Sequence, residues 1–282
     1  MSSRGDGSLL RHRLARRRRA LLYGTALLLL IAALFPFFWL LQMSFRSDED
    51  ILGLHLFFRP TLENYRALRV GQFPHSFANS VVASAASTFL SLLLGVPAAY
   101  ALSRVEFRGR RKVALWILAT RMAPPIAFTI PFFLAYRHLE LVDTVSGLVI
   151  IYLTFNLALV VWMMRTFFDS VPRALEEAAW IDGSSVWGTF LRVALPLAAP
   201  GLAATAVLCF IYSWNDFFYA LILTRTAAMT APVAIVNFMQ YEGWEWGKIA
   251  AGGTLVMLPV VVFSILVRRY LVSGLTIGAV KE

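Results

Sequence analysis

Charge is scarce in this sequence. Only 15% of its 282 residues are Asp, Glu, Lys or Arg, whereas 59% are hydrophobic. A soluble domain is nearer a quarter charged and half apolar, so the composition excludes an ordinary water-soluble globule and points to a membrane protein. The mean hydropathy of +0.69 agrees. There is a single cysteine, Cys209, inside an apolar run. It excludes an internal disulfide and a cysteine-based metal cluster, and it reads as a small core residue. The four histidines, His12, His55, His75 and His138, are scattered over a basic tail and connecting segments. No HExxH and no paired catalytic carboxylates accompany them, so chemistry by this chain is not expected. A phosphate-cradling G-x-x-x-x-G-K-[ST] is also absent: Gly247-Lys248 is followed by Ile249. The chain is therefore not its own ATP motor.

Cationic charge is nevertheless in excess, at a net +10. The basic residues lie between apolar segments rather than on one polar face, which argues for membrane topology and against nucleic acid. At roughly 20 residues per span, the length holds about six helices. Residues 1–20 form a basic tail with seven arginines, and residues 21–75 a first span to about Met43 plus an external loop with a short helix near 62–68. No small-residue cleavage site follows the first run, so it is expected to stay as a span, kinked at Pro36. Residues 76–268 hold five further spans: 76–102, 113–136 broken by Pro124-Pro125 and Pro131, 146–168, 197–223 and 249–267. Residues 269–282 make a short tail. Eighteen of the twenty-six Lys and Arg residues fall on one side of this arrangement, which predicts an all-α protein of six spans with both termini cytoplasmic.

Polar residues inside apolar helices are functional candidates, because the bilayer makes them costly. Arg121, Asn156, Tyr212, Trp214, Asn215 and Asp216 are such a set, and aromatics beside hydrogen-bonding groups suit sugar recognition. The alternatives stay open: Arg121 snorkels to the interface, and Asn215 and Asp216 pack or cap helices. Asn79, at the start of the second span, reads as a capping or packing residue.

The stretch that organises the chain is Glu177-Ala178-Ala179-Trp180-Ile181-Asp182-Gly183, within residues 169–196. Pro172 suits a first helical turn, Ser170 an N-cap and Gly183 a helix end. A second short helix is expected after Ser184 or Ser185, stopping before Pro196. The pattern Glu-Ala-Ala, three residues, Gly183, nine residues, Val193, one residue, Leu195-Pro196 resembles the cytoplasmic EAA loop of ABC importer permeases. The C-terminal run from Leu271 to Lys281, with Trp214-Asn215-Asp216-Phe217 and Asp182-Gly183-Ser184, is similar to the carbohydrate permeases of the maltose-transporter type. The resemblance covers nearly everything after Pro36.

It implies a type I ABC importer permease fold in a bacterial-type inner membrane and import of a sugar or sugar alcohol. The implied partners are a homologous second permease, two ATP-binding subunits that carry ATP and Mg, and an external sugar-binding protein. Glu177, Ala178, Ala179, Asp182, Gly183, Leu195 and Pro196 would dock on the ATPase. Gly274, Leu275, Thr276 and Lys281 would reach toward it, and Tyr241, Trp244 and Trp246 would meet the binding protein. The rival from another class is a secondary transporter or facilitator with Arg121 and Asp216 as an ion relay.

Overall fold

The computed structural model describes residues 6–53, 57–122, 124–240 and 243–279. Helix α1 (Asp6–Met43) contains the apolar run Leu21–Met43, none of which is buried within the chain. Pro36 lies inside α1, and the helix continues through it. The segment expected as a loop holds α2 (Asp48–Leu52), unforeseen from sequence, and α3 (Glu63–Val70). Ser47 starts α2 by accepting from Asp50 N. Asn64 on α3 donates to the Ser44 and Arg46 carbonyls at 3.1 and 2.8 Å.

Helix α4 (Phe73–Arg104) is followed by α5 (Arg110–Met122), a 3-10 turn at Pro125–Phe128 and α6 (Thr129–His138), then α7 (Val145–Ser170). The expected proline break between α5 and α6 is present. Helices α4 and α7 form the centre. Ser80, Ala83, Ser84, Ser87, Ser91, Gly95 and Ala99 recur at helical spacing on α4 and are all buried. Such small residues let membrane helices approach closely. At Gly95 a Cβ would stand 2.7 Å from Val160 Cγ1 on α7, so only glycine fits there.

Beyond α7 come α8 (Arg173–Ile181), α9 (Val186–Thr189), a π turn at Phe190–Ala194, the helical turn α10 (Leu195–Leu197) and α11 (Ala199–Trp214). The second short helix therefore does not stop before Pro196, contrary to expectation. Leu195 N bonds Phe190 O across five residues, and this change of register lets the proline enter a continuing helix. The axis then turns by 77° between Val186–Leu197 and Ala199–Trp214. The expected fifth span is broken as well: α11 ends at Trp214 and α12 (Phe218–Leu223) follows.

The connection expected as an open loop contains α13 (Ala231–Val236) and a two-stranded ribbon, β1 (Met239–Gln240) antiparallel to β2 (Gly243–Trp244). Helix α14 (Trp246–Ala279) starts three residues earlier than expected and continues through most of the supposed tail. Among the described residues, four helices are long and apolar enough to cross a bilayer, or six if α5 with α6 and α9 to α11 each count as one bent span. Two apolar cores result. One gathers Phe73, Tyr136, Leu148, Tyr152, Leu223 and Val233. The other, around Val96, Tyr100, Met164, Phe168 and Phe190, lies where α4 and α7 end.

Candidate functional site

The segment 171–197 folds as a knob on that second core. Ser170 is not the N-cap of α8. It closes α7, its hydroxyl donating to Phe167 O at 2.6 Å, and Pro172 takes the cap position instead. Helix α8 ends as the sequence implies. Gly183 has φ +85°, Gly183 N bonds Trp180 O at 3.0 Å and Ser184 N bonds Ala179 O at 2.9 Å. These are the two bonds of a Schellman motif, whose left-handed position favours glycine. Ser185 then starts α9, accepting from Gly188 N at 3.1 Å.

The knob has two unlike sides. Inward, Glu176, Thr189, Phe190 and Ala194 are each 2% exposed or less. Phe190 lies 4.9 Å from the Tyr100 ring and 6.2 Å from Phe168. Outward, Leu175, Trp180, Ile181, Val186, Trp187 and Leu191 are exposed, Ile181 by 87%. Glu177, Ala178, Asp182 and Gly183 are exposed beside them. An apolar side this large on a charged knob is the kind of surface that marks a protein contact.

What holds the knob is a residue that the sequence reading passed over. Glu176, 1% exposed, accepts from Tyr100 Oη at 2.8 Å and from Arg104 Nε at 2.8 Å. Arg104 Nη2 is 2.7 Å from the same carboxylate and also donates to the Phe168 and Val171 carbonyls at 2.7 and 2.9 Å. One guanidinium on α4 thus pairs with α8 and satisfies the last carbonyls of α7. A planar fork with several fixed donors is suited to this and an ammonium is not. The sequence carried a partial signal. Adjacent residues on a helix point about 100° apart, so Glu176 and Glu177 face different surroundings, but the sequence does not say which faces inward.

A family model described as "Binding-protein-dependent transport system inner membrane component" matches residues 91–276. The chain belongs to this family. This permease is 40% identical to the trehalose transport system permease protein SugB of Mycobacterium tuberculosis, over 88% of the chain and 93% of that protein. It is 37% identical to the trehalose/maltose transport system permease protein MalG of Thermococcus litoralis, over 94% of the chain and 97% of its relative. Among solved structures it resembles a chain of a bacterial ABC transporter involved in the import of the acidic polysaccharide alginate. The TM-score is 0.75 at 28% identity, covering 96% of the permease and 99% of that chain. The permease is accordingly a multi-pass membrane protein.

The intramembrane candidates divide into two groups. The Arg121 guanidinium sits 4.9 Å from the Tyr212 ring centroid, and Tyr212 is 49% exposed. Asn215 is exposed and closes α11, while Asp216 is half-buried and accepts from Ala220 N at 3.0 Å at the start of α12. The capping alternative thus describes both residues. Trp214 and Asn156, by contrast, are in the core. Trp214 is 1% exposed and donates to Val256 O at 2.9 Å. Asn156 is fully buried and donates to Ser213 Oγ at 2.8 Å, which lies 3.2 Å from Ser87 Oγ. These bonds join α4, α7 and α11. Among the described residues, no carboxylate lies within 4.0 Å of Arg121, so the relay pair is not assembled here.

At the opposite end of α4 a second set of polar contacts closes the bundle. Asp143, with φ +58°, accepts from four consecutive backbone N–H groups, Arg225 and Ala228 on Oδ1 and Thr226 and Ala227 on Oδ2, at 2.8 to 3.2 Å. Partial burial pushes this carboxyl up, but the four donors outweigh it and hold it below the usual range. Asn79, 8% exposed, donates to the Ala227 and Met229 carbonyls at 2.9 and 3.0 Å, which is the packing role expected of it. On this side Trp244 is 49% exposed on β2. Trp246 lies in the first turn of α14, its ring centroid 4.8 Å from that of Trp244. Tyr241 lies outside the described residues, as does Lys281. Gly274, Leu275 and Thr276 are on the helical backbone of α14 rather than in an irregular tail.

Proposed function

We propose that this permease carries a sugar or sugar alcohol inward as one of two homologous permease subunits, driven by two separate ATP-binding subunits. An external sugar-binding protein delivers the substrate. ATP and Mg belong to the partner ATPase, and no chemistry falls to this chain. The observation that carries the reading is the knob: an outward apolar side formed by α8 and α9, clamped by Arg104 and Glu176 to the ends of the two central helices. A partner surface that moved the knob would move α4 and α7 with it, because the clamp and the aromatic packing of Phe190 leave no slack between them.

The sugar part of the reading follows the trehalose and maltose systems to which the relatives belong. The distribution of Lys and Arg supports a cytoplasmic knob and two cytoplasmic termini, with Asp143, Trp244 and Trp246 on the external side. In that orientation, the half-buried Arg121 and the exposed Tyr212 and Asn215 are the better wall for a substrate path, and Trp214 and Asn156 hold the helices that carry it.

Uptake by the transporter reconstituted in vesicles tests this, with trehalose, maltose and a sugar alcohol offered through the binding protein. Accumulation that stops on ATP depletion is expected. Uptake that continues without ATP, or that needs no binding protein, would overturn the proposal in favour of a secondary transporter.

A further inference from the structure

Between the start of α5 and the end of α7 lies an open groove of about 860 Å³, lined by Phe107, Arg110, Arg111, Lys112, Trp162 and Arg165 among others. It is on the knob end of the bundle but apart from the knob, and neither the coupling contacts nor the substrate wall uses it. Arg110 is partly committed, donating to the Leu102 and Ser103 carbonyls at 2.6 and 3.1 Å and so closing α4. Of the other groove cations, only Arg165 meets a carboxylate among the described residues. Arg165 has one carboxylate nearby, Asp169 Oδ2, at 3.6 Å from Nε, too long for a hydrogen bond. Its Nε is inaccessible and has no hydrogen-bond partner among the described residues. Arg111 and Lys112 are exposed and meet no carboxylate among the described residues. The one acid in the preceding loop, Glu106, is exposed and forms no described ion pair.

The walls running away from these cations are apolar. Leu115 on α5 and Trp162 on α7, both lining the groove, are 52% and 44% exposed. They belong to the spans, where hydrocarbon covers such side chains. The groove therefore pairs a concave cationic head with an apolar flank, and this is the form of an amphiphile rather than of a free ion. Basic pockets between membrane helices at the interface suit anionic headgroups, and an aromatic indole suits the headgroup boundary.

We propose that this groove binds the phosphate headgroup of an anionic phospholipid, with Arg111, Lys112 and Arg165 on the phosphate and the acyl chains lying along α5 and past Trp162. The same chemistry would accept inorganic phosphate from solution, and the test separates the two. The assembled transporter in non-ionic detergent is titrated with phosphatidylglycerol or with phosphatidylcholine of the same acyl chains, and adducts are counted by native mass spectrometry, with and without inorganic phosphate.

Phosphatidylglycerol should bind at least about tenfold more tightly than phosphatidylcholine, and the combined Arg111→Gln, Lys112→Gln, Arg165→Gln variant should lose that preference with the complex intact. Lys112→Gln alone, at an exposed position, should weaken it in the same direction should the triple variant fail to assemble. Equal binding of the two lipids, or an unchanged preference in the variants, would overturn the proposal. So would occupation by inorganic phosphate without a preference for phosphatidylglycerol. Binding is read without transport, so its failure leaves the coupling reading untouched.

Discussion

Arg104 distributes its donors over two helices, the Glu176 carboxylate on α8 and the last carbonyls of α7, while Tyr100 completes the carboxylate. The paired side chains are 8% and 1% exposed, so neither charge has water to fall back on. Removing one partner of a buried, hydrogen-bonded pair leaves the other uncompensated and costs about 3–5 kcal/mol. Glu176→Ala should therefore destabilise the knob by that order, and Arg104→Lys should rescue little of an Arg104→Ala defect, because a lone ammonium cannot reach α7 and α8 together. The measurement is a double-mutant cycle on thermal unfolding of the complex, read alongside the ratio of sugar moved to ATP hydrolysed. A structural contact alone would shift only the unfolding midpoint; a coupling contact lowers the ratio as well. Additive effects of Arg104→Ala and Glu176→Ala would deny the clamp.

At the scale of elements, the start and end of α8 show what a sequence does and does not reveal. Gly183 was legible because a left-handed position after a helical run has one favoured occupant, and the structure puts it at φ +85°. The continuation through Pro196 was not, since the proline rule assumes an α ladder and the chain uses a π turn there. The break after Trp214 was hidden for a related reason: hydropathy reads Leu197 to Leu223 as one apolar run and does not register that Asp216 starts a new helix. The outer clamp was out of reach altogether, because Asp143 and its four backbone donors are more than eighty residues apart.

That clamp makes a pH prediction. A carboxyl held below its ordinary value contributes stability that is fully present above about pH 3.9, the free-chain value, and is lost as pH falls through the lower folded value. Protection of the Arg225 to Ala228 amides from hydrogen exchange, corrected for intrinsic rates, should fall on that acid side. In Asp143→Ala it should already be at least about tenfold lower at neutral pH, with the acid dependence gone. Equal protection in the two proteins at neutral pH would show that the loop is held by its other contacts.

Across the whole molecule, low charge and long apolar runs foretold a helical membrane protein, and the Glu-Ala-Ala to Leu-Pro spacing foretold its family, whose model matches residues 91–276. The order of burial did not follow from hydropathy: the first apolar run has the highest value, shared with the last, yet none of it is buried, while half of the apolar window in Val145–Ser170 is. Small residues on α4, not hydrophobicity, decide which helices are central. In the proposed function, the outward side of the knob docks on the motor. Ile181 and Val186 are 87% and 61% exposed, so replacing both by Glu should leave the fold intact and remove only the contact. The direct measurement is a tagged pull-down of the native and Ile181→Glu, Val186→Glu chains from detergent-solubilised membranes. The native chain should bring down a second permease and an ATP-binding subunit, and the variant should keep the permease and lose the ATP-binding subunit. Retention of that subunit by the variant, or its absence from the native pull-down, would contradict the account.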